Sequence, residues 1–165
     1  MHSICKILLP VALAAALIGG CDTSDVKTPE TIGEKKRTNI IVGSEAREAI
    51  DKLHGLNVAT EENLIAEYGD EQKDLLYISI FENSEQAGRA LELMTQKIAH
   101  SKSGPFFHVM RLKDYNGDAF ITLGMGATHY IFQSERSLIW YQTYQNLGPK
   151  IPEVLVKIYP VGTGP

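Results

Sequence analysis

From Asn39 onward the apolar positions alternate between a helical and a strand period, and the changes of period predict the elements. Ser44 caps a short helix in which Ala46, Ala49, Ile50 and Leu53 recur on one side, and Gly55 stands where a left-handed stop is expected. Residues 63–68 and 74–81 read as strands; in the second, Leu76, Ile78 and Ile80 alternate with Tyr77, Ser79 and Phe81. Asn83 or Ser84 opens the longest helix, with Gln86 placed to complete a capping box and Ala87, Ala90, Leu91, Met94 and Ile98 forming its stripe, until Gly104-Pro105 ends it. Strands over 106–113 and 118–123 flank an Asn116-Gly117 turn, and a second pair, 128–133 and 138–144, flanks 134–137. Residues 153–159 fit a short helix or an edge strand; Pro152, suited to a first helical turn, favours the helix. The expected fold class is α+β: an antiparallel sheet, a meander of about four strands plus one or two preceding strands, with one long helix and two short helices packed on it.

The N-terminus follows a different pattern. Lys6 leads into an apolar run over residues 7–20. A membrane-crossing helix needs about 20 apolar residues, whereas the apolar part of an export signal needs about 7–15. Leu17-Ile18-Gly19-Gly20-Cys21 closes the run and resembles the lipobox of bacterial lipoproteins: an aliphatic residue, two small ones, then cysteine. The resemblance implies diacylglycerol on the Cys21 thiol, cleavage after Gly20 and acylation of the new amine, with an uncleaved anchor or an ordinary secretory signal as the alternatives. Asp22, directly after the cysteine, resembles the signal that keeps enterobacterial lipoproteins in the inner membrane. The implied organisation is a signal peptide over 1–20, a flexible tether over 21–38 and one globular domain over 39–165, anchored in the bacterial cell envelope and facing the periplasm or exterior. Cys5 leaves with the signal and Cys21 is lipidated, so neither cysteine remains for a disulfide, and the covalent lipid is the only group the chain is expected to carry.

Composition and charge narrow the function. One domain fits 165 residues, and a formal net charge of −4 with a pI near 5.7 argues against nucleic acid as a partner. The chain carries no G-x-S-x-G, H-E-x-x-H, P-loop or C-x-x-C motif. Asp114-Tyr115-Asn116-Gly117-Asp118 starts like a calcium loop, but Met125 stands where the bidentate glutamate belongs. Gly124 and Gly126 mark a bulge or a close backbone approach, and the small residues from Gly124 to Tyr130 leave room for a ligand. His54, with Glu61, Glu62 and Glu67 after it, suits the negative end of the first helix better than a proton shuttle. Two candidate sets remain. Tyr77, Phe120, His129, Tyr130 and Trp140 lie on predicted strands that carry more aromatic residues than one helix can cover, and so could form a ligand or partner surface. His108, Met110, Met125 and His129 form a soft donor set of the kind that holds Cu(I). The first set points to a non-enzymatic lipoprotein that binds an envelope protein or ligand; the second points to a periplasmic carrier of copper or a small molecule. No oligomeric state follows from either.

Overall fold

The computed structural model describes residues 26–54, 60 and 62–162. The lipobox, Cys21, Gly55 and Glu61 lie outside them. The elements are β1 (Thr31–Ile32), β2 (Lys35–Val42), α1 (Gly43–His54), β3 (Glu62–Tyr68), β4 (Asp74–Ile80), α2 (Ser84–His100), β5 (Phe106–Arg111), β6 (Ala119–Gly124), β7 (Ala127–Ser134), β8 (Ser137–Thr143) and α3 (Glu153–Ile158).

This architecture corrects the expected one. The sheet is a single curled antiparallel sheet of eight strands in the order β1-β2-β3-β4-β8-β7-β6-β5, with α1, α2 and α3 as shorter additions, rather than a four-strand meander with one or two extra strands under one long helix. The meander β5 to β8 joins the N-terminal strands because β8 pairs with β4, from Leu75↔Gln142 to Ile80↔Ser137. The expected tether is corrected as well from Val26 onward: Pro29 is buried, β1 follows, and the first half of β2 is Lys35-Lys36-Arg37-Thr38. These polar residues are held by specific partners. Arg37 Nη1 donates to the Thr28 carbonyl at 2.8 Å, and Arg37 N donates to the Glu30 carbonyl at 2.8 Å.

Because strand side chains alternate between faces, one register sorts the core into two layers. Ile65, Tyr77, Trp140, Ile131 and Phe120 lie opposite one another across β3, β4, β8, β7 and β6. Ala46 and Ile50 of α1 and Leu91, Met94 and Ile98 of α2 cover that face. The next row, Ala66, Leu76, Tyr141, Tyr130 and Ile121, faces the other way. There Leu155 of α3, Ile151, Tyr159 and Ile32 close over it. Strands β7 and β8 are therefore buried on both sides. At the start of α2, Asn83 is the N-cap and its side chain accepts from Gln86 N at 2.9 Å. The capping box is only half made, since the Gln86 side chain turns to Glu82 at 2.9 Å instead of back to the Asn83 amide.

One buried charge ties the two halves of the sheet. Asp74, 1% exposed at the start of β4, accepts from Lys35 Nζ of β2 at 2.7 Å, from Tyr141 Oη at 2.8 Å and from Thr143 Oγ1 at 2.9 Å, both on β8. The Tyr144 amide adds a longer contact at 3.4 Å.

Candidate functional site

On the helix-covered face, an open apolar groove of about 490 Å³ lies between α1 and the β6–β7 turn. Its floor is Ile41 of β2, Ile65 of β3 and Leu75 and Tyr77 of β4. Ala49, Lys52 and Leu53 of α1 make one wall, and Pro105 with Met125 makes the other. The sequence puts these residues together for plain reasons. Ala49 and Leu53 are one helical turn apart, and Ile65 and Tyr77 are cross-strand partners.

The far wall depends on a tight turn. Gly124-Met125-Gly126-Ala127 joins β6 to β7 with φ of 52° at Met125 and 75° at Gly126, the pattern of a two-residue hairpin turn whose central residues both need positive φ. Glycine adopts this backbone freely, while methionine is strained there by about 1–2 kcal/mol. Met125 is nevertheless 59% exposed, with its thioether side chain at the rim of the groove. At Gly124 a Cβ would strike the Phe106 ring and come within 2.6 Å of the Pro105 carbonyl oxygen, so this glycine allows the close approach that places Pro105 in the wall. The opposite side of the same hairpin tip is apolar too: Phe107 and Leu123, cross-strand partners 51% and 41% exposed, lie beside Ala127 and Tyr144.

Polar chemistry in the groove is sparse. Glu67 at its end pairs with Lys73 at 2.6 Å. The Tyr77 phenol is pushed up to about 12, first by burial and then by Tyr144 and Glu67 nearby, so it is a neutral hydroxyl at any physiological pH. What the groove offers is aliphatic and aromatic area rimmed by one lysine and one carboxylate, which suits recognition by burial.

The aromatic residues singled out from the sequence divide between the faces. Tyr77 lines the groove, and in the same row Phe120 is half-buried and Trp140 is buried at 2% exposure. Tyr130 faces the other way and donates to the Gly148 carbonyl at 2.7 Å. His129 is fully buried against Phe106 and Trp140, with ring centroids 5.0 and 5.6 Å away. The expected exposed aromatic patch made of these five is thus mainly core, and only Tyr77 contributes to an open site. Ile41, Leu53, Leu75 and Pro105 were not among the site residues expected from the sequence; Ile40-Ile41-Val42, a β-branched run, was the signal for the strand that carries the first of them.

The soft donor set is also divided. His108, at φ 57° in the bulge where the β5–β6 register shifts, and Met110 lie exposed on the edge strand. Met125 belongs to the groove rim. His129 has both ring nitrogens engaged: Nδ1 accepts from Trp140 Nε1 at 2.9 Å, and Nε2 donates to the Gly124 carbonyl at 3.0 Å, which fixes a neutral tautomer with no lone pair left for a metal. Among the described residues no three His, Cys, Asp or Glu side chains converge to hold a metal ion.

Burial also holds the His129 pKa below its ordinary value of about 6.5, against the opposing effect of the Gly124 carbonyl. The unfolded chain takes up a proton at this residue as the pH falls below about 6.5, whereas the folded chain resists, so stability is whole above that pH and is lost below it at up to about 1.4 kcal/mol per unit. The urea midpoint is expected to fall between about pH 7.5 and about pH 5.5. His129→Gln should flatten this part of the slope; an identical slope in that variant would assign the titration elsewhere.

The chain matches no protein-family model, and no curated protein or solved structure is significantly similar to it.

Proposed function

We propose that this protein is a lipid-anchored module of the bacterial envelope that binds an apolar segment of a partner protein in the groove between α1 and the β6–β7 turn. The observation that carries the binding half is the groove itself: apolar floor, apolar walls, and an exposed methionine at the rim, at a turn position of positive φ where methionine costs stability. The anchoring half is supported by the lipobox-like run ending at Cys21.

The test is purification of the membrane-extracted protein with mass spectrometry of what remains bound, run beside two variants. Ala49→Glu puts a carboxylate in the groove wall at an exposed helical position where glutamate is well tolerated, and Met125→Asn suits the positive φ better than methionine does. Both variants are expected to stay within about 0.5 kcal/mol of the parent in stability or to exceed it. A stoichiometric partner seen with the parent should fall by about tenfold or more with Ala49→Glu, the equivalent of about 1.4 kcal/mol. A parent that carries no stoichiometric partner, or variants that keep it undiminished, would remove the groove from the function.

A further inference from the structure

Residues 26–30 fix where the chain enters the domain. Val26 packs half-buried against the core layer on the side opposite the groove, Pro29 is buried, the Lys27 carbonyl accepts from the Tyr159 hydroxyl, and the Pro29 carbonyl accepts from the Tyr68 hydroxyl at 3.0 Å. Only residues 22–25 lie between this strap and Cys21. However they are arranged, the Cys21 to Val26 distance is at most about 18 Å. A compact domain of this length has a radius of gyration of about 14 Å and hence a diameter of about 35 Å. A tether that short does not let the domain turn over, because bringing the groove face to the bilayer would lift Val26 by about a domain diameter.

Resting on the reading of Cys21 as lipidated, we propose that the face formed by the strap and α3 is a lipid-contacting surface, held flat on the membrane so that the groove opens away from it. The chemistry of the face agrees with the geometry. Beyond Leu155, which is buried, α3 presents half-buried Val154, Val156 and Ile158, with Val26 and Val161 beside the same core layer. Lys27 on the strap and Lys157 on α3 are exposed, and their aliphatic stems can lie along these residues while the ammonium groups reach headgroup phosphates. Lys157 is paired with Glu153 at 2.8 Å.

The full chain, membrane-extracted and reconstituted into nanodiscs of phosphatidylethanolamine and phosphatidylglycerol, should be compared with the same protein in detergent for the rate at which each lysine is acylated by a water-soluble active ester. Lys27 and Lys157 are expected to react severalfold more slowly on the nanodisc, while Lys52 at the groove and Lys102 after α2, both exposed, keep their rates. Equal rates throughout, or protection of Lys52 and Lys102 instead, would overturn the proposed orientation. The intact mass of the same sample separates the two questions: a Cys21 without acyl groups would overturn the anchoring reading, whereas an acylated Cys21 with unprotected Lys27 and Lys157 overturns the orientation alone.

Discussion

Asp74→Ala is expected to cost about 3–5 kcal/mol, because it removes one partner of a buried ion pair and leaves the others without an acceptor. Lys35 Nζ would lose its carboxylate and keep only the Gln72 carbonyl, and two hydroxyls, on Tyr141 and Thr143, would face a space too apolar to replace the bonds. The Tyr141 phenol is raised far above its usual range, by burial first and then by the Asp74 charge, so it stays a hydrogen-bond donor to the carboxylate. Asp74→Asn should cost less than alanine but still measurably, since an amide has one acceptor oxygen for donors arriving from two strands. Tyr141→Phe removes a single donor and should cost about 1–2 kcal/mol. Combined with Asp74→Ala it should add much less than that, because the phenol has already lost its acceptor. Urea unfolding of the four variants beside the parent measures all of this. An Asp74→Ala chain within about 1 kcal/mol of the parent would mean that water reaches the site and that the carboxylate does not tie the two halves of the sheet.

The same cluster explains why the size of the sheet was not legible in the sequence. Lys35-Lys36-Arg37-Thr38 has the composition of a solvated linker, yet Lys35 answers a carboxylate 39 positions later and Arg37 holds the strap carbonyls. Charged residues enter a strand when tertiary partners satisfy them, and those partners come from distant parts of the chain. The pairing of β4 with β8 is likewise non-local, so the two groups of strands read as separate pieces until they are joined. What local chemistry dictates was readable: the alternation in β4, the Asn83 cap and the helix after Pro152 all rest on neighbours a few residues apart.

For the candidate site the division is similar. The Gly-rich joint at 124–127 announced a close backbone approach, and Gly124 makes one with Pro105 and Phe106. Which way His129 points was not readable, because its nearest polar partner, Trp140, sits on the neighbouring strand diagonal to it: His129 is paired with Gln142, two residues beyond the tryptophan. A histidine and a methionine close in sequence thus part company, one into the core and the other onto the groove rim. The sheet separates a side tied to the N-terminal strap from a side that carries the groove, and that division gives the proposed anchor and the proposed binding site opposite directions.

Trp140→Ala should cost about 3–5 kcal/mol and disturb the groove floor through its neighbour Tyr77. The indole is 2% exposed in the row between Tyr77 and Ile131, packs edge-on against Phe106 at 5.1 Å and donates to His129. Removing it therefore takes away both apolar volume and the one donor to a fully buried imidazole nitrogen. Trp140→Phe divides these effects. It keeps much of the ring but leaves His129 Nδ1 unpaired, and the cost should be about 1–3 kcal/mol, the penalty of an orphaned buried acceptor. That orphan has a further consequence. With Nδ1 free, protonation at low pH no longer has to displace the indole hydrogen, so the folded-state pKa of His129 should move up toward its ordinary value and the acid-side loss of stability should weaken in the variant. Urea midpoints for Trp140→Phe across the same pH range, followed by circular dichroism since the tryptophan is gone, make the check. A variant as pH-sensitive as the parent would show that burial alone, without the indole hydrogen bond, keeps His129 neutral.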